Sequence, residues 1–92
     1  MGRTIEDIRK EIDAIDNSLI ELLNQRARLV LEIGDLKKAR GLPIYVPDRE
    51  QEIHKRVQAL NPGPLSNEAM TRLFKEIIRE SRKLEQETTR NS

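Results

Sequence analysis

Cysteine is missing from these 92 residues, which removes disulfides, thiolate nucleophiles and zinc–thiolate sites from consideration. Charge of one sign is missing as well. Seventeen basic residues face 16 acidic ones for a net charge of +1, so the chain lacks the one-sided field of a nucleic-acid or polybasic membrane binder. No apolar run approaches the ~20 residues that a membrane span needs. The N-terminus carries no apolar signal segment, and Glu6 stands where N-myristoylation would require Ser or Thr. No strand pattern, internal repeat or low-complexity linker is present. What remains is a single small domain, 1–92, expected in the cytoplasm, meeting neither nucleic acid nor membrane. A chain of this length buries only about 60–65% of its unfolded surface. Without staples, its core stays thin unless a partner adds to it.

A long amphipathic pattern opens the chain. Ile5, Ile8, Ile12, Ile15, Leu19, Leu22, Arg26, Leu29, Ile33 and Leu36 recur at a 3-4-3-4 spacing, a heptad stripe in which one slot holds arginine. Thr4 is placed to cap the helix, with Asp7 at its third position. Lys37, Lys38 and Arg40 suit the far end of the dipole, and Gly41 stops it. A helix over 5–39 would be about 50 Å long at ~1.5 Å per residue. A compact globule of this chain length is only about 30 Å across. The helix therefore overhangs any monomeric fold, and its stripe calls for a second chain.

"GLPIYVP" at 41–47 is a loop set by Gly41 and two prolines. A second helix over 48–60 turns Ile53, Val57 and Leu60 inward and ends before "NPGP". Ser66 caps a third helix over 66–87, whose apolar face is Met70, Leu73, Phe74, Ile77, Ile78 and Leu84. Residues 88–92 are expected to fray.

Arg26 in an apolar slot has two readings. It is either a register-setting polar residue of a helix seam or a group whose partner is a ligand. Arg9 and Lys37 border the same stripe. On the third helix, Ser81 and Glu85 continue the face of Phe74 and Ile78 at i, i+4 spacing. Polar groups on the inner faces of two helices suggest a small-molecule pocket inside the bundle, and buried cations in excess of inward carboxylates suggest a ligand that carries carboxylates. His54 stands without a neighbouring His and reads as a residue with no catalytic task. Gly34 inside the first helix costs about 1 kcal/mol relative to alanine, which implies close approach of another helix or a ligand. The "DREQE" and "KEIIRESRK" runs read as solvated faces, with Arg49 and Glu50 the exceptions because they open the second helix beside the loop.

"IRKEIDAIDNSLIELLNQRARLVLEIGDLKKARGLPI", then "DRE", then "LFKEIIRESRKLEQ", resembles the AroQ class of all-α chorismate mutases over residues 5 to 86. The resemblance implies an all-α intertwined homodimer of three-helix chains, with two sites shared between the chains and no cofactor or metal. It implies the intramolecular Claisen rearrangement of chorismate to prephenate, in phenylalanine and tyrosine biosynthesis. By resemblance, Arg9 reaches one substrate carboxylate from the partner chain, and Arg26 grips the other with help from Ser81. Lys37 meets the ether oxygen and a carboxylate, Glu50 accepts from the ring hydroxyl, and Arg49 supports the carboxylate end.

Two positions depart from the family pattern. Val46 stands where many members carry an acid near the ring hydroxyl. Glu85 stands where a glutamine often donates to the ether oxygen, and an ionised carboxylate cannot donate, so Glu85 has to be protonated in the active complex. Two other readings follow from the same sequence. One is isochorismate-pyruvate lyase, which shares this architecture. The other is a non-enzymatic helical dimerisation module, for which heptads and balanced charge suffice.

Overall fold

The computed structural model describes residues 2–90, with side chains through residue 88. Its described residues form three α-helices and no strand: α1 (Ile5–Arg40), α2 (Pro47–Leu60) and α3 (Asn67–Arg90). Each boundary has a local cause. Thr4 and Asp7 form a reciprocal capping box in which Asp7 N donates to Thr4 Oγ1 and Thr4 N to the Asp7 carboxylate, both at 3.1 Å. Gly41 ends α1 at φ 66°, a left-handed conformation in which its N–H reaches the Lys37 and Lys38 carbonyls. Pro47 opens α2 at a position whose missing N–H costs nothing. Ser66 Oγ accepts from Ala69 N at 3.0 Å and caps α3.

The third helix reaches past the expected boundary at 87. It continues through Arg90, because the stretch from Lys83 to Glu87 consists of good helix formers with no glycine or proline to stop it. Positions 91 and 92 of the expected frayed tail lie outside the described residues.

Helix α3 packs against both other helices, and among the described residues these are the helix pairings. Ile53, Val57 and Ile78 form the buried core between α2 and α3, with Met70 and Phe74 packed against it. Leu60 and Leu73, expected in that core, are 71% and 52% exposed. They sit at the margin of a two-helix contact too narrow to cover a full apolar face. With no direct contact between α1 and α2 among the described residues, their inner faces are left on either side of a gap that α3 floors.

Helix α1 stretches the molecule to 61 Å by 26 Å by 14 Å. Every residue from Ile5 to Gln25 is exposed. The apolar stripe of Ile5, Ile8, Ile12, Ile15, Leu19, Leu22, Leu29, Ile33 and Leu36 is 42–68% exposed throughout. Arg26 does not interrupt that stripe so much as leave it: its side chain turns toward α3, on the face that also carries Val30, Gly34 and Lys37. No described helix is long and apolar enough to cross a membrane.

Candidate active site

The gap between α1 and α2, floored by α3, is a cavity of about 360 Å³, within the range of small-molecule sites. The helix periodicity of α1 turns Arg26, Val30, Ile33 and Lys37 toward it. Ile44 and Val46 enter from the loop, Arg49, Glu50 and Ile53 from α2, and Ile78, Ser81, Arg82 and Glu85 from α3. The residues singled out from the sequence thus converge here, apart from Arg9. That residue lies about 25 Å from Arg26 along α1 at ~1.5 Å per residue. Its side chain is exposed and pairs with Glu6 at 3.5 Å.

Arg26 is held rather than neutralised. Its Nη1 donates to Ser81 Oγ at 2.6 Å, while that hydroxyl donates its own proton to the Ile77 carbonyl at 2.8 Å. Ser81 is thereby fixed as an acceptor and sets the plane of the guanidinium. Among the described residues no carboxylate forms an ion pair with Arg26. Its pKa is pulled below the ordinary arginine value, first by burial and then by the positive charges of Arg49 and Arg56. An arginine stays charged regardless, so Arg26 is a partly desolvated cation repelled by its neighbours, a setting that suits an anion.

At the other end of the cavity, Lys37 Nζ donates to the Ile44 carbonyl at 2.9 Å and to Glu85 Oε2 at 3.2 Å. Glu85 is 7% exposed and lies on α3 one turn beyond Ser81. Gly34 explains how it fits. A Cβ at position 34 would meet Glu85 Cγ at 3.4 Å, so the glycine lets the stem of Glu85 cross α1 on its way to Lys37. Gly34→Ala is expected to be tolerated, since a flexible stem can yield a few tenths of an ångström and alanine gains up to about 1 kcal/mol of helix propensity. Gly34→Leu should instead expel the carboxyl and cost about 1–3 kcal/mol by overpacking. Thermal unfolding of both variants distinguishes these outcomes.

Sequence reasoning missed Arg82. It lies in the "KEIIRESRK" run that reads as solvated, yet its Nη2 donates to Glu50 at 3.1 Å across to α2, and its guanidinium lies 4.5 Å from the centre of the Tyr45 ring. Periodicity gives no sign of this, because Arg82 is one residue past Ser81 and its partner is 32 positions away. Arg49 remains largely exposed and pairs with Glu52 at 3.3 Å. Four cations, Arg26, Lys37, Arg49 and Arg82, therefore line the cavity against the carboxylates of Glu50 and Glu85. The excess matches a ligand with two negative charges. Among the described residues no group of three or more His, Cys, Asp or Glu is arranged to hold a metal.

Beyond the Arg26–Ser81 contact lies a second groove of about 460 Å³, lined by Leu23, Ala27, Ile77 and Leu84 and rimmed by charged residues. Its apolar floor is continuous with the exposed half of α1 and suits a packed helix better than a polar ligand.

The family model for chorismate mutase type II matches residues 8–86. The bifunctional chorismate mutase/prephenate dehydratase of Aquifex aeolicus is 42% identical over 78 residues, covering 80% of this chain and 22% of that protein. The chain spans 22–25% of the length of the first curated relatives it matches. Chorismate mutase (form II) of Thermus thermophilus superposes with a TM-score of 0.88 at 45% identity, over 89% of this chain and 93% of that one. The chorismate mutase of Helicobacter pylori, solved in complex with prephenate, gives a TM-score of 0.85 at 39% identity, over 96% of this chain and 94% of that one. Three helices arranged around a cavity with surplus positive charge thus have a family: the chain belongs to the type II chorismate mutases.

Proposed function

We propose that this chain rearranges chorismate to prephenate, working as a homodimer in the cytoplasm. The observation that carries the reading is the charge of the cavity, above all Arg26, which is fixed by Ser81 and lacks a carboxylate partner among the described residues. Chorismate carries two carboxylates and would supply the missing charge.

The reaction is unimolecular: one C–O bond breaks as one C–C bond forms, and no covalent intermediate arises. The protein has two tasks. It holds the enolpyruvyl side chain over the ring, and it stabilises negative charge that grows on the ether oxygen. Arg26 grips one carboxylate through the fork of its remaining N–H groups, with Arg49 in support. Lys37 keeps a donor beyond those given to Ile44 and Glu85, and this donor faces the ether oxygen. A protonated Glu85 donates from the opposite side, and Glu50 accepts from the ring hydroxyl.

Arg9 enters from the second chain. The exposed stripe of α1 supports that assembly, since a seam of nine apolar side chains from Ile5 to Leu36 is left uncovered by the chain itself. A partner's α1 laid along this stripe would close the cavity and exclude water from it.

The test follows chorismate by its ultraviolet absorbance from about pH 5 to pH 8, with prephenate quantified as phenylpyruvate and oligomeric state read by sedimentation. Saturable turnover by a dimer is expected. A folded protein that leaves chorismate untouched would remove the proposal. Val46 places no acid in the cavity and favours a second substrate enough to include it. Release of salicylate and pyruvate from isochorismate, with chorismate inert, would assign the lyase reaction instead. Failure of a cyclic dicarboxylate to bind at all would leave a dimerisation module.

A further inference from the structure

We propose that Arg82 is a positioning residue that holds Glu50 where it meets the ring hydroxyl and keeps it away from Arg26, an inference that rests on the mutase reading.

Three observations converge on it. First, Arg82 Nη2 lies 3.1 Å from each oxygen of the Glu50 carboxylate, and both side chains are partly buried, at 34% and 22% exposure. Such a pair is screened less than a surface one and constrains both partners. Second, the guanidinium is not free to follow its carboxylate. Its carbon sits 4.5 Å from the Tyr45 ring centroid, so the ring fixes where the charge lies. Its Nε is buried with no hydrogen-bond partner, so packing and the Glu50 contact, rather than solvation, determine its placement. Third, Glu50 has no local substitute. The Val46 side chain, on the same side of the cavity, carries no acceptor, and Glu85 is engaged by Lys37.

The consequence follows from the surplus charge. Glu50 and Arg26 line one cavity, and Arg26 has no carboxylate of its own there among the described residues. A Glu50 released from Arg82 would be drawn toward Arg26 and compete with the substrate carboxylate for the same fork of donors. Arg82 therefore does two things through Glu50: it aims the acceptor at the hydroxyl, and it prevents the protein from filling its own anion site. Neither role requires Arg82 to touch the substrate.

Both effects weaken ground state and transition state alike, so they belong in KM more than in kcat. Arg82→Met keeps an apolar stem against Tyr45 and removes the charge. It is expected to raise KM for chorismate about tenfold or more while kcat changes less than about threefold. Arg82→Lys should recover part of the loss, since it restores charge without the planar fork. Tyr45→Leu should move KM in the same direction by a smaller factor.

The deciding measurement is the double-mutant cycle with Glu50→Gln. In that background Arg82→Met should change KM by less than about twofold, because the group through which it acts has lost its charge. The same factor in both backgrounds would overturn the inference. So would a parallel fall in kcat and thermal stability with KM unmoved, which marks a purely structural arginine. Should Arg82→Met fail to fold, as read by helicity and melting, Arg82→Lys and Tyr45→Leu run through the same cycle. A wild-type protein inert toward chorismate removes the mutase reading and this inference together, whereas an active wild type with an additive cycle removes the inference alone.

Discussion

Arg26→Ala should cost kcat/KM for chorismate a factor of about 30 to 4,000 while leaving the fold and the dimer almost unchanged. The asymmetry comes from where the side chain finds its partners. In the ligand-free chain Arg26 makes a hydrogen bond to Ser81, and a bond from a charged donor contributes about 1.5–3 kcal/mol before any opposing repulsion is counted. Against it stands the repulsion from Arg49 and Arg56 that pulls its pKa down together with burial, so removing the charge also relieves a strain. In the proposed complex the same guanidinium faces a carboxylate in a pocket closed to water. Truncating one member of such a pair typically costs about 2–5 kcal/mol, which corresponds to the stated range at about 1.4 kcal/mol per tenfold. Kinetics, thermal unfolding and sedimentation on one preparation read all three quantities. Losses of activity and dimer stability in step would return Arg26 to the role of a register-setting polar residue. Arg26→Lys should fall between, since a point charge replaces a planar fork.

That prediction depends on a feature visible in the sequence but misplaced by it. The heptad spacing marks slot 26 as inward, and it is, but toward α3 of its own chain, beside Val30, Gly34 and Lys37, while Leu22, Leu29 and Leu36 turn outward. Periodicity reports which residues share a face of one helix. It does not report which neighbour covers that face, and a helix that overhangs its own chain has more than one. The i, i+4 pair of Ser81 and Glu85 was legible because both partners lie on one element and interrupt an apolar face. Gly34 was legible as a close approach, and the stem of Glu85 is what approaches. Arg82 was not legible. Its role depends on Glu50 and Tyr45, 32 and 37 positions away, and a charged residue at the edge of a charged run carries no local signal of such a contact. Leu60 and Leu73 err in the opposite sense, since their spacing suits a core that the α2–α3 contact is too narrow to supply.

Glu85 carries the other large effect, and its sign follows from hydrogen-bond chemistry. To donate to the ether oxygen its carboxyl must hold a proton. Any carboxyl gives up its proton as pH rises, so activity should fall toward alkaline pH. In the ligand-free chain the carboxylate instead accepts from Lys37 at 3.2 Å, which turns it from the donor role that the proposed mechanism needs at the oxygen. Bound chorismate brings two negative charges into a cavity where Lys37, Arg26, Arg49 and Arg82 surround Glu85 and Glu50. The substrate's charges and the four cations then act on that carboxyl in opposite senses. Glu85→Gln removes the contest, because an amide donates at every pH and nearly preserves the shape. A hydrogen bond to a charged group is worth about 1.5–3 kcal/mol, so the variant should exceed wild type by about 10- to 100-fold at the alkaline end and show a flat profile. At the acidic end the two proteins should converge, since each then presents a neutral donor at the same place. Lys37→Met, in contrast, removes the opposite donor and takes from the Glu85 carboxylate the cation it pairs with at 3.2 Å. Its activity should collapse across the whole range, and no choice of pH should restore it. A wild-type profile already flat from about pH 5 to pH 8, or a Glu85→Gln profile identical to it, would show that this carboxyl serves to orient Lys37 and gives no proton to the oxygen.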